Sequence, residues 1–138
     1  MILLDTDTLT LLLRRQPQVS ARHRAAQDTV AISVITRIEV LRGRFASVLT
    51  AADGAELQRA QELLEGTIRD LAAYPVVLID AAAAGEFDRL RQDRRLRKIG
   101  RADLLIACIA LANDATLVTR NLRHFQQIPG LRLDNWAD

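Results

Sequence analysis

Short β-type apolar runs alternate with helical patterns from one end of the chain to the other, and this alternation constrains the fold more than any other feature. Strands separated by helix-length segments pair in parallel, because a parallel pair needs a long crossover whereas an antiparallel hairpin needs only a short turn. Right-handed crossovers then place helices on both faces of a mostly parallel sheet. Met1 to Leu4 reads as strand one, followed by a helix from about Asp7 to Arg15 that ends before Pro17. Thr29 to Ile35 reads as strand two. Thr36 then opens a helix through IEVLRG, and a second helix from about Gly54 to Ala73 carries Leu57, Ala60, Leu64, Ile68 and Leu71 at helical spacing. This pair is expected to form a helical hairpin inserted before strand three, Val76 to Ile79. Asp80 is placed to cap a helix running to about Lys98, with Gly100 as its stop. Ala102 to Ala112 is apolar nearly all round, which predicts a buried helix. Thr116 to Thr119 gives strand four, and Leu131 to Leu133 a short edge strand after Pro129 and Gly130. The expected architecture is α/β, a single domain over residues 1–138 with a central sheet of four or five strands.

Composition agrees with one compact core. A chain of 138 residues with 49% hydrophobic residues, 3 Pro and 6 Gly is neither disordered nor collagen-like. The net charge of +2 hides an unusual basic set: Lys98 is the sole lysine, and arginine, whose planar fork suits phosphate or carboxylate, supplies the rest. The one cysteine, Cys108, lies in the apolar run LLIACIALA, which reads as a core thiol in a reducing compartment. MILLDTDTL lacks the basic opening of a signal peptide, and no apolar run approaches the roughly 18 residues of a membrane span, so a cytoplasmic location without membrane contact is expected.

In open parallel sheets, function gathers beyond the carboxyl ends of the strands. There the chain is acidic: Asp5 follows strand one, Glu39 lies in the first turn after strand two, Asp103 opens the buried helix, and Asn121 follows strand four. Each has a purely structural reading. Asp5 or Asp7 suits a helix cap, Thr36 to Glu39 matches a capping box, Asp103 suits a helix dipole, and Asn121 a turn. Convergence separates the readings, because parallel strands bring Asp5, Glu39 and Asp103 to one end of the sheet, where carboxylates repel and raise one another's pKa. A cation relieves that repulsion. Oxygen ligands without His or Cys suit Mg²⁺ or Mn²⁺ rather than zinc, and such an ion activates water for displacement at phosphorus.

Four motifs, MILLDTDTL, ISVITRIEVLRG, IGRADLLIACIAL and ATLVTRNLRHFQQIPGLRLDNW, together resemble the PIN-domain ribonucleases, and within them the VapC-type toxins of toxin–antitoxin pairs. They span nearly the whole chain in order. The resemblance implies catalytic acids at Asp5, Glu39 and Asp103, with Asp5 and Asp103 as principal metal ligands and Glu39 as a third. The family's fourth position, often aspartate, is Asn121 here, so the resemblance implies one firmly held ion and an amide that orients water or phosphate. Asp7 stands where asparagine is common, and capping is the preferred reading for it. Further implications are a metal-dependent endoribonuclease acting on an RNA substrate, a cognate small antitoxin that covers the cleft, and a homodimer.

Support from the residues themselves is partial. Between Ala83 and Arg101, Arg89, Arg91, Arg94, Arg95, Arg97, Lys98 and Arg101 face Glu86, Asp88 and Asp93, a run suited either to an RNA backbone or to a solvated helix with an Arg89–Asp93 pair. His23 and His124 are possible general bases that metal-assisted hydrolysis does not require. Trp136 and Phe125 read as core rather than as base-stacking residues. Two rivals stand beside this reading. DTDTL also matches the opening of haloacid-dehalogenase-type phosphatases, with Asp5 as nucleophile, but that reading leaves Glu39 and Asp103 without roles. A non-catalytic Mg²⁺-binding interaction module is the other.

Overall fold

The computed structural model describes all 138 residues. In chain order the elements are β1 (Ile2–Leu4), α1 (Thr6–Leu13), α2 (Pro17–Ala25), β2 (Val30–Ser33), α3 (Val34–Leu49), α4 (Gly54–Leu71), β3 (Val76–Val77), α5 (Ala81–Leu90), α6 (Arg101–Ala112), β4 (Thr116–Val118), α7 (Leu122–Phe125) and β5 (Arg132–Asp134). A single 3₁₀ turn, Arg94–Leu96, lies between α5 and α6. The five strands form one sheet in the order β3-β2-β1-β4-β5, and every pairing is parallel.

Two-residue alternation divides the core between the faces of this sheet. Leu3, Ala31 and Leu117, which are registered partners, face the layer of α5 and α6 with Leu90, Ile106 and Ile109. Leu4, Ile32 and Val118 point the other way, onto Leu9, Val19, Val40 and Leu71 of α1 to α4 and onto Trp136. Helix α6 carries the unbroken buried run Ile106 to Ala110, as its all-round apolarity predicts. The inserted hairpin also forms: α3 and α4 are clipped by the Arg44 Nε–H, which donates to Thr67 Oγ1 at 3.1 Å.

Several sequence-based boundaries are corrected. Pro17 does not merely follow α1; it opens α2 at N1, where its missing N–H costs nothing and where Gln16 caps by accepting from Val19 N at 2.7 Å. Helix α1 closes without glycine, through Arg15 at φ 59° and a Gln16 N to Leu11 O bond of 3.0 Å. Strand two ends at Ser33, which caps α3 by accepting from Thr36 N at 3.0 Å, so Thr36 is inside the helix and the Thr36–Glu39 capping box does not exist. Helix α5 stops at Leu90 rather than near Lys98, and Gly100 starts α6 instead of ending its predecessor. Asp93 turns the chain by capping the 3₁₀ turn.

The strand order runs outward from β1 in both directions, which sets a topological switch point between β1 and β4 at the carboxyl edge of the sheet. Register aligns Leu4 with Ile32 and with Val118, so the next residues, Asp5, Ser33 and Thr119, stand side by side on that edge.

Candidate active site

Asp5 is the first residue beyond β1 and the N-cap of α1, with Oδ1 accepting from Thr8 N at 2.8 Å. Its backbone N–H donates to the Val118 carbonyl at 3.0 Å, and the Thr8 hydroxyl donates to the same carbonyl at 3.2 Å, which fixes the start of α1 to the end of β4. Asp5 is only 7% exposed. That burial pushes its carboxyl above the usual carboxylate range against hydrogen bonds from Thr119 and Thr8, and the neighbouring Asp7 charge adds to the rise. The cap is Asp5, not Asp7. Asp7 instead lies exposed in the first turn of α1 and lines the cleft.

Glu39 lies in the second turn of α3, one turn deeper than the sequence suggests, because the helix starts at Val34. The Thr6 hydroxyl, from the first turn of α1, donates to Glu39 Oε1 at 2.6 Å. Thr36 supports Thr6 from α3, with the two hydroxyl oxygens 3.1 Å apart. Asp103 sits in the first turn of α6, where the helix dipole favours an anion. Its carboxyl is nonetheless pushed upward, chiefly by burial and then by the charges of Asp5 and Glu39, while His124 pulls it back. Asn121 lies two residues past Thr119, which occupies the strand-end position equivalent to Asp5, and the Asn121 N–H donates to Thr119 Oγ1 at 2.9 Å.

These residues share one cleft of about 380 Å³ lined by Asp5, Thr6, Asp7, Thr10, Glu39, Asp103, Asn121 and Phe125. All four residues singled out from the sequence are therefore brought together. The lining holds four carboxylates and no lysine or arginine. Sequence reasoning missed the hydroxyls: Thr6 stands between the two acids of DTD, and Thr119 ends the apolar run of β4, a placement equivalent to that of Asp5. It named His124 only as a dispensable general base, and the structure places its Nδ1 2.9 Å from Asn121 Nδ2.

A hard divalent cation fits this donor set. Every polar group lining the cleft other than the Asn121 amide is a carboxylate or a hydroxyl, and the Asp5 and Glu39 charges add to the rise that burial causes at Asp103, charge that a cation would neutralise. No three acidic, histidine or cysteine side chains close on a common point.

A family model described as "PIN domain" matches residues 2–131. Over 139 aligned residues the chain is 33% identical to "Ribonuclease VapC1" of Haemophilus influenzae (strain R2866), covering 98% of this chain and 97% of that one. The chain belongs to the PIN-domain family of VapC ribonucleases. It is also 29% identical to the "tRNA(fMet)-specific endonuclease VapC" of Salmonella typhimurium (strain LT2), over 98% of this chain and 97% of that one. Among solved structures it is similar to that of VapBC2 from Rickettsia felis bound to a DNA fragment from their promoter, with TM-score 0.76, 29% identity and 99% of each chain covered. In this fold Asp5 follows β1, Glu39 lies on α3 and Asp103 on α6. The phosphatase alternative is set aside, since it gives no role to Glu39 and Asp103, both of which line the VapC-type cleft.

Proposed function

We propose that this chain is the ribonuclease toxin of a toxin–antitoxin pair, hydrolysing RNA phosphodiester bonds with a divalent cation held in the acidic cleft. The observation that carries the proposal is the convergence of Asp5, Glu39 and Asp103 from three separate elements into one cleft, with two of the three held above the ordinary carboxylate range. Asp5 and Asp103 would hold Mg²⁺ or Mn²⁺, with Glu39 reaching the ion through water. When bound, such an ion supplies Lewis acidity toward water and phosphoryl oxygen. Thr6 fixes the Glu39 carboxylate, the Thr8 amide fixes that of Asp5, and Asn121 lines the cleft beside them.

The basic run supports RNA binding over a narrower set than the sequence suggests. Arg89 pairs with Glu86, Arg91 with Asp88 and Arg95 with Asp93, so the Arg89–Asp93 pair is not formed. Arg94, Arg97 and Lys98 are left exposed and without a carboxylate, on the segment that leads into α6 and Asp103.

A small antitoxin partner is supported by the toxin–antitoxin complexes among the similar structures and by uncovered apolar surface on the hairpin. Ile38, Phe45 and Leu49 of α3 and Leu57, Leu63 and Ile68 of α4 are all exposed. A groove lined by Ile35, Ile38, Arg42, Arg101, Ala102 and Leu105 runs from this surface to Glu39, so a chain laid in it would reach the cleft. We assign the separate exposed pair Leu78 and Ile79, beside the short edge strand β3, to a homodimer contact. No helix is long and apolar enough to cross a membrane.

The test is incubation of the purified, partner-free protein with total cellular RNA and Mn²⁺ or Mg²⁺, beside a chelator control and Asp5→Ala. Discrete fragments that require both the metal and Asp5 are expected, and mapping their ends identifies the substrate. Absence of fragments from folded protein in every metal would favour the non-catalytic module.

A further inference from the structure

We propose that His124 contacts the substrate, presenting its Nε2–H to a phosphoryl oxygen of the RNA, and that Asn121 is the positioning residue that aims it. The inference rests on the RNA-cleavage reading above and assigns a residue that reading does not use. Its basis is the 2.9 Å approach of Asn121 Nδ2 to His124 Nδ1. An amide nitrogen can only donate, so Nδ1 accepts, and a neutral imidazole in that role carries its proton on Nε2. Asn121 thereby selects the tautomer and fixes the ring plane.

Asn121 lines the cleft, and His124 stands against Asn121 just outside that lining. Asn121 is tied by its own N–H to Thr119, on the strand edge beside Asp5, and lines the cleft directly. Phe125, the residue after His124, is buried and lines the same cleft, so the short helix α7 is seated against it. The spacing Asn121-Leu122-Arg123-His124 puts both polar side chains on one side of a helical turn.

The cleft needs such a donor. Its lining has four carboxylates and no cationic side chain, so a phosphodiester entering it meets acceptors from Asp5, Asp7, Glu39 and Asp103. The imidazole N–H of His124 adds the directed donor that offsets this set, and it donates in either charge state of the ring.

The experiment compares steady-state cleavage of one labelled RNA, at saturating Mn²⁺, by wild type, His124→Ala, His124→Gln, Asn121→Ala and the double alanine variant. Loss of a hydrogen bond to a charged oxygen is expected to lower kcat/KM about thirtyfold in His124→Ala, and Gln, whose amide N–H reaches the Nε2 position, to recover about half of that loss on a logarithmic scale. Asn121→Ala should lose about fivefold, and the double variant should be no worse than His124→Ala, because Asn121 acts through the imidazole. Two-bond ¹H–¹⁵N spectra supply a readout independent of turnover: the Nε2-protonated tautomer in wild type and a tautomer mixture in Asn121→Ala. That spectrum and the Gln variant also decide the matter if His124→Ala melts early. Wild-type cleavage with an unaffected His124→Ala, or losses that add in the double variant, would overturn this inference alone. A wild type that cuts no RNA would overturn the reading beneath it.

Discussion

Asp5 shows how one carboxyl group serves a helix and a site together. One oxygen caps α1, while the side chain still lines the cleft, so the structural and functional readings of an acid after a strand are not exclusive. The cap tolerates replacement: asparagine caps as well as aspartate, so Asp5→Asn should leave the fold intact while removing charge from the cleft. Asp103 gives the sharper test. Its carboxyl, like that of Asp5, binds its proton more tightly in the folded chain than at the ordinary value of 3.8, so ionising it works against folding. The stability that these two groups contribute in the metal-free protein should fall as pH rises from 3.8 through the raised values, and should not return above them. Asp103→Asn is therefore expected to melt higher than wild type at neutral pH, with the difference closing toward pH 3.8. Thermal scans across pH check this, and a variant that melts lower at neutral pH would contradict the account of carboxylate repulsion.

Among the elements, caps decide what was legible. The buried helix α6, the hairpin and the strand centres follow from periodicity and apolar runs, because burial over many residues leaves a strong pattern. Boundaries resting on a single residue were misread. Thr36 and Ser33 are both good N-caps, and only packing in the sheet shows that Ser33, fully buried at the end of β2, takes the role and moves Glu39 a turn deeper. Pro17 marks a helix start as readily as a stop, and nothing in QPQVSARHRA shows an apolar stripe that would have revealed α2. The hydroxyls of Thr6 and Thr119 had no local signal beyond their place at strand ends, since the contacts they make are long-range. Two element-scale outcomes follow. Ser33→Ala should cost about 1 to 2 kcal/mol, seen in urea unfolding as a lower midpoint at constant slope. Arg15→Gly should stabilise by up to about 1 kcal/mol, because φ 59° is strained for arginine and free for glycine.

At the scale of the whole molecule, the parallel sheet accounts for the site. Three acids far apart in sequence meet because β1 lies at the centre, with β2 leading to α3 on one side and α6 feeding β4 on the other. The four motifs made that meeting legible before any coordinates, since each falls beside the carboxyl edge. The basic surface was only half legible, because neighbouring acids neutralise Arg89, Arg91 and Arg95 by pairings that depend on where α5 stops. Replacing Arg94, Arg97 and Lys98 by alanine in an Asp5→Ala background should weaken RNA binding and make its salt dependence shallower by about two charges. An unchanged slope would remove this segment from the RNA path. The most direct test of the central claim is the rate of cleavage of a labelled RNA as a function of Mn²⁺ concentration, for wild type and Asp103→Asn in parallel. Wild-type cleavage should rise from nothing in chelator to saturation, with Asp103→Asn slower by at least about a thousandfold at every concentration although fully folded. Equal rates for the two proteins, or cleavage indifferent to the chelator, would contradict the assignment of the acidic cleft as the site of RNA hydrolysis.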